Sequence, residues 1–165
     1  FVALSYKWGS TASGAPTTPL PEFLPATVTD AIYVTMQLGY NYLWVDRYCI
    51  SQNDQHAKHV QIQSMNLVYK HAALTIIAAT GEDATAGLSG VRPRKKPMQL
   101  SIKLGHMQLV ATMDQITDIA TSPWNSRGWT FQEGLLSNRR LLFGPRQISF
   151  ECQAMNCLES IKFPL

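Results

Sequence analysis

Three short, nearly continuous apolar runs mark the first half of the chain: Phe1 to Tyr6, Tyr42 to Asp46 and Leu74 to Ala79. Runs of this length without polar alternation suit strands buried on both faces of a sheet. The last is also rich in β-branched residues, which favour strand. Between the runs, apolar positions fall at helical spacing. Val28, Ala31, Ile32, Thr35 and Leu38 line one face of a helix predicted to open at Thr27 and to stop at Gly39. Thr27 and Asp30 stand at the spacing of a capping box. Ile62, Met65, Tyr69 and Ala72 form the apolar stripe of a second helix, predicted to begin near Asn53 or Asp54. The resulting order is β-α-β-α-β with crossovers of helix length. It predicts a parallel sheet with right-handed connections.

The second half is less regular. A loop rich in Ser, Thr, Gly and Pro (Ser10 to Pro25) has already interrupted the first crossover, and a Gly- and Pro-rich stretch now runs from Thr80 to Pro97. Gln99–Leu104 and Met107–Ala111, joined by Gly105-His106, read as an inserted β-hairpin. Ser122-Pro123 predicts the start of a helix carrying Trp124, Trp129, Phe131, Leu135 and Leu136. Two strands, Arg140–Phe143 and Gln147–Cys152, turn across Gly144-Pro145. The expected fold is a single α/β domain over 1–165: a mostly parallel sheet flanked by helices, with an inserted hairpin. The opening at Phe1, without Met or leader, reads as a piece of a longer multidomain protein.

Composition narrows the classes. Of the 165 residues, 45% are hydrophobic and 15% charged, which supports a core and excludes a disordered tail. The net charge is only +3, and the basic residues are scattered apart from Arg92, Arg94, Lys95 and Lys96, which read as a solvated loop. No nucleic-acid partner is expected on that basis. No apolar run approaches the ~18 residues that span a bilayer, so no membrane partner is expected either. Three cysteines, Cys49, Cys152 and Cys157, argue against a disulfide framework and fit a reducing, cytoplasmic setting. Cys49 reads as a buried small hydrophobe. His56 and His59 share a helix face but lack a third ligand, and read as a solvated pair; no metal or cofactor is expected.

In open parallel sheets, ligands bind beyond the carboxyl ends of the strands. Ser5, Tyr6, Lys7, Trp8 and Gly9 follow the first strand there. Asp46 to Cys49 follow the second, and Thr80 to Asp83 the third. The helix carrying Trp129 and Glu133 should begin at the same edge. There is no G-x-G-x-x-G, no P-loop, no G-x-S-x-G and no H-E-x-x-H. These absences argue against a Rossmann dinucleotide site, a P-loop hydrolase, an α/β-hydrolase and a zincin. Alternatives stay open for single residues. Glu133 is a ligand-facing carboxylate or an ion-pair partner of Arg127, Arg139 or Arg140. Asp46 is a site residue or a brace for the loop that follows it. Trp8, Trp44, Trp124 and Trp129 are core or ligand platforms.

Five blocks, taken in order, resemble the fungal heterokaryon-incompatibility (HET) domain. Val2 to Gly9 is similar to its opening, an apolar strand running into a Ser-Tyr-x-Trp-Gly turn. Leu24-Pro25-x-Thr27 through Asp30-Ala31-Ile32 to Leu38-Gly39 resembles its first helix. Tyr42 to Gln52 resembles its most distinctive block. Met65, Tyr69 and Ala72 to Ala79 continue the pattern. Arg127 to Glu133, with Leu136-Ser137-x-Arg139, closes it. Lys7 stands where cysteine is common in the family, which removes a thiol nucleophile from this turn.

The resemblance implies a role in programmed cell death after non-self recognition, a form of fungal innate immunity. It also implies distant similarity to TIR domains, whose flavodoxin-like sheet has the same element order. Many TIR domains cleave NAD⁺ with a glutamate four residues after a tryptophan, and Trp129 and Glu133 have that spacing. On this analogy Glu133 is the catalytic residue, and Ser5, Tyr6, Trp8, Gly9, Asp46 and Trp129 bind the nucleotide, with Tyr6 and Trp8 stacking on its rings. NAD⁺ would be substrate, not cofactor. The implied partners are other domains of the full-length protein and further copies of the chain, through self-association on activation. The alternative is a non-catalytic module that triggers death through recruited proteins.

Overall fold

The computed structural model describes residues 1–9, 20–92, 100–111 and 115–161. Most of the Ser10–Pro25 loop, and Arg94, Lys95 and Lys96 of the basic cluster, lie outside them. Eight strands and six helices are seen among these residues: β1 (Val2–Ser5), α1 (Ala26–Gln37), β2 (Leu43–Val45), α2 (Asp46–Cys49), α3 (Gln55–Gln63), α4 (Met65–His71), β3 (Leu74–Ala78), β4 (Ser101–Leu104), β5 (Met107–Val110), α5 (Gln115–Ala120), α6 (Gly128–Leu136), β6 (Arg139–Phe143), β7 (Ile148–Cys152) and β8 (Asn156–Leu158).

Six strands form one sheet in the order β2-β1-β3-β6-β7-β8. β1 pairs in parallel with β2 and β3, and β3 with β6, whereas β7 and β8 return antiparallel. This is a flavodoxin-like α/β arrangement. The chain leaves β1 to one side for β2 and crosses back to the other for β3. The crevice at this reversal, outside the carboxyl ends of β1 and β3, is where such sheets hold ligands.

The strand period distributes the core. Val2, Leu4, Leu74, Ile76 and Ala78 face α1, joining Val28 and Ala31. Ala3 faces the other way, onto Met65 and Tyr69 of α4. Ile77 and Ala79 meet Trp124. The β4–β5 hairpin is a separate two-stranded sheet whose eight residues are all exposed.

Four local expectations are corrected. The capping box does not form: α1 is preceded by Pro25, with no side-chain cap. Thr27 Oγ1 instead accepts from the Gly87 amide at 3.0 Å, and Asp30 Oδ2 from the Leu88 amide at 2.9 Å. Both side chains are buried against that returning segment, which outcompetes the helix's own amides for their oxygens. The second helix divides at Ser64, whose hydroxyl donates back to the Val60 carbonyl at 3.0 Å. Cys49 is exposed rather than buried. It lies in the one-turn helix α2, where its Sγ accepts from the Val45 amide.

The fourth correction concerns the helix predicted from Ser122-Pro123, which begins only at Gly128. Trp124 and Glu133 are nine positions apart, about two and a half helical turns. One continuous helix would aim them in opposite directions. Both are buried against the sheet, so the chain turns between them.

Candidate functional site

Ser5 is the last residue of β1, on the same face as Ala3, and is buried. Its hydroxyl donates to Glu133 Oε2. Glu133 reaches it because α6 buries Thr130, Glu133 and Gly134 on one stripe. The helix start is pinned to the same edge by Arg127, whose guanidinium donates to the Tyr6 carbonyl. Of the arginines expected as partners of Glu133, Arg140 pairs with Glu151 at 2.8 Å and donates to the Gly134 carbonyl. The Glu133 carboxylate accepts its hydrogen bond from Ser5, not from an arginine.

Asp46 follows β2 directly. Trp8 Nε1 donates to both of its carboxylate oxygens, at 3.0 and 3.1 Å, and the Arg47 amide donates to Oδ1 at 2.7 Å. The Arg47 guanidinium lies over the Trp8 ring, 5.7 Å from its centroid.

Trp8, Asp46, Arg127, Trp129 and Glu133 line one cleft of about 210 Å³, completed by Ile50, Gln52, Lys58, Ile62 and Met65. A second cleft of about 680 Å³ adjoins it, with Trp8 and Arg127 as common walls; Lys7, Gly9, Glu82 and Asp83 line the rest. Gly9 is needed there. Its φ is +86°, and an added Cβ would fall 2.3 Å from Asp83 Cβ. Lys7 pairs with Glu82 across this outer cleft at 2.8 Å.

The two carboxylates share one electrostatic environment. Burial is the main cause that raises Glu133 above the usual range; the Ser5 hydrogen bond and the Arg127 charge pull it back. Burial pushes Asp46 up to about 6 against the hydrogen bonds from Arg47 and Trp8, and the Glu133 charge adds to the rise. Two carboxyl groups with raised proton affinity in one cleft form an environment characteristic of functional sites.

The expected site residues therefore separate. Glu133, Asp46, Trp8 and Trp129 meet in the inner cleft, with Ser5 behind Glu133, and Gly9 shapes the outer one. Tyr6 does not offer a stacking face. It alternates to the α1 side of the sheet, is 2% exposed and packs in the core. Trp44 packs edge-on against Tyr69. Trp124, expected on a helix, is buried and donates through Nε1 to Ser5 Oγ at 2.6 Å. Sequence reasoning missed Lys58 and Ile62 as cleft walls, and the Trp124 contact. No local pattern links Trp124 to a residue 119 positions away.

A buried glutamate at the reversal point of a flavodoxin-like sheet, facing a second carboxylate across a cleft walled by tryptophans, defines an α/β domain with a built polar site. Residues 1–133 match the family model described as Heterokaryon incompatibility protein (HET). The chain belongs to that family, and with it comes a role in heterokaryon-incompatibility cell death. No curated protein and no solved structure matches it. Among the described residues, no helix is long and apolar enough to cross a membrane.

Proposed function

We propose that the domain brings about cell death by cleaving the nicotinamide–ribose bond of NAD⁺ when copies of it cluster. One observation carries this reading: Glu133, Asp46, Trp8 and Trp129 converge on a single open cleft at the strand ends. The Trp129–Glu133 spacing, read by analogy with TIR enzymes, supports it.

In this reading the nicotinamide riboside end enters the inner cleft, and the outer one has room for the remainder of the dinucleotide. Arg127, on the wall common to both clefts, presents positive charge to the pyrophosphate, and Lys7 would have to exchange its Glu82 partner to join it. The C1′–N bond breaks with its electron pair moving to nicotinamide, whose pyridinium charge is thereby neutralised. The ribose carbon becomes cationic, and the buried Glu133 carboxylate stabilises it. Water adds at C1′ and releases a proton, giving ADP-ribose. Asp46 holds a ribose hydroxyl, and Trp8 or Trp129 stacks on the nicotinamide ring.

The test is nicotinamide release from NAD⁺ by the domain fused to a strong oligomeriser, with Glu133→Gln beside it. Glutamine keeps an acceptor for Ser5 but no charge, so the variant should fold and lose cleavage by about 100-fold or more. Absence of release from a folded, clustered wild type would refute the proposal. It would favour a recruiting module, which the outward pair Phe131 and Leu135 on α6, 74% and 66% exposed, would suit.

A further inference from the structure

Glu133 takes its hydrogen bond from a hydroxyl that is itself held by a second side chain. Trp124 Nε1 lies 2.6 Å from Ser5 Oγ, and Ser5 Oγ donates to Glu133 Oε2. All three residues are at most 5% exposed, so water does not compete for these bonds.

The chemistry of the first member sets the direction of the chain. An indole N–H only donates, while a serine hydroxyl both donates and accepts. With Trp124 donating, Ser5 spends an acceptor site on the indole and turns its one proton toward Glu133. Glu133 accepts that proton more strongly as a carboxylate than through the carbonyl oxygen of a protonated carboxyl, so the bond favours the charged form. Without the indole, the same hydroxyl is freer to rotate and accept from a protonated Glu133, and the preference weakens. Trp124 packs beside Gly134, one residue after Glu133, where a Cβ would meet the indole at 3.4 Å.

We propose that Trp124 is a positioning residue for Glu133: through Ser5 it orients the carboxylate into the cleft and holds it in its charged, accepting form. The proposal deepens the reading of Glu133 as the working carboxylate, and rests on it. The other charged or titratable groups facing Glu133 are Arg127 at the start of α6, Asp46 on α2, Lys58 on α3 and Tyr69 on α4. None of them donates to the oxygen that Ser5 holds. The relay therefore adds a directional preference that their charges do not supply.

The experiment is a carboxyl-carbon NMR titration of Glu133 in the full chain, without nucleotide. Failure of NAD⁺ cleavage and failure of the relay are thus separate results. Trp124→Phe keeps an aromatic ring in the core and removes the donor, at the cost of some buried volume. It should raise the Glu133 midpoint by about half a pH unit or more. Ser5→Ala should raise it further, and adding Trp124→Phe to Ser5→Ala should change nothing more. An unchanged midpoint in Trp124→Phe overturns the proposal, and so do effects that simply add in the double variant. A second measurement needs no substitution: the Trp124 indole N–H resonance should follow the Glu133 titration. A resonance that stays flat through that titration overturns the relay even where the variants fail to fold.

Discussion

Replacing Asp46 by asparagine should make the domain more stable at neutral pH while damaging its cleft. Burial raises the Asp46 carboxyl from 3.8 to about 6. The folded state therefore holds this proton more tightly than the unfolded chain does. Below pH about 4 both states are protonated, and the favourable contribution of Asp46 is complete. As the pH rises toward 6 the unfolded chain ionises first, and stability falls. Above about 6 the full cost of burying the charge is present. The change from 3.8 to about 6 corresponds to about 3 kcal/mol, an upper bound for one group.

Asparagine offers Trp8 Nε1 and the Arg47 amide an oxygen without that charge. Asp46→Asn should therefore gain up to about 3 kcal/mol at pH 7.5, roughly 6–12 °C in Tm for a domain of this size. The gain should shrink through pH 6 to 4 and vanish below. Thermal unfolding of both proteins from pH 4 to 8, followed by circular dichroism, measures it. A less stable Asp46→Asn at pH 7.5, or a difference that ignores pH, would refute the reasoning. The expected result would show a carboxylate retained against the interest of stability, as sites that need a charge require.

Two further substitutions test the loops that pack beside the sheet edge. Gly9→Ala combines a left-handed backbone with a Cβ 2.3 Å from Asp83 Cβ; it should cost about 2 kcal/mol or more, read as a lower urea midpoint. Thr27→Val keeps the shape of a fully buried side chain but strands the buried Gly87 amide. Equilibrium unfolding should show a loss of about 1–3 kcal/mol; no loss would mean that the amide finds another partner.

The parallel half of the sheet was legible because its strands are buried on both faces. Phe1–Tyr6, Tyr42–Asp46 and Leu74–Ala79 differ from β1, β2 and β3 by one or two residues at their ends. Their parallel pairing followed from the crossover lengths. What stayed hidden was decided largely by distant contacts. The break at Ser64 is local, a serine hydroxyl turned back onto the Val60 carbonyl; the late start of α6 is not. In α6 the reason is that Trp124 and Glu133 must face the sheet together. β8 and α5 are short and only partly buried, and leave no strong pattern. At the site, strand-end logic located Asp46 and Trp8, and the expected start of the following helix at that edge, with the Trp129–Glu133 spacing, pointed to Glu133. Period two also turns Tyr6 away from Ser5, a reading that the Ser-Tyr-x-Trp-Gly pattern alone obscured.

The segment from Ala84 to Leu88 has no helix or strand, yet it is tied down as firmly as either. The Thr27 amide donates to the Ala84 carbonyl at 3.0 Å, and the Ala84 amide to the Trp8 carbonyl at 3.3 Å. Thr27 and Asp30 hold the next two buried amides, and Arg92 closes onto Asp30 at 2.8 Å. The amides of Gly87 and Leu88 therefore exchange with solvent only when the first turn of α1 opens, and that turn packs on β1 and β3. In hydrogen-exchange terms, the amides of this irregular strap should exchange with the slowest cooperative unit of the domain rather than with its surface loops. It thereby ties the neighbouring outer cleft, at Glu82 and Asp83, to the core.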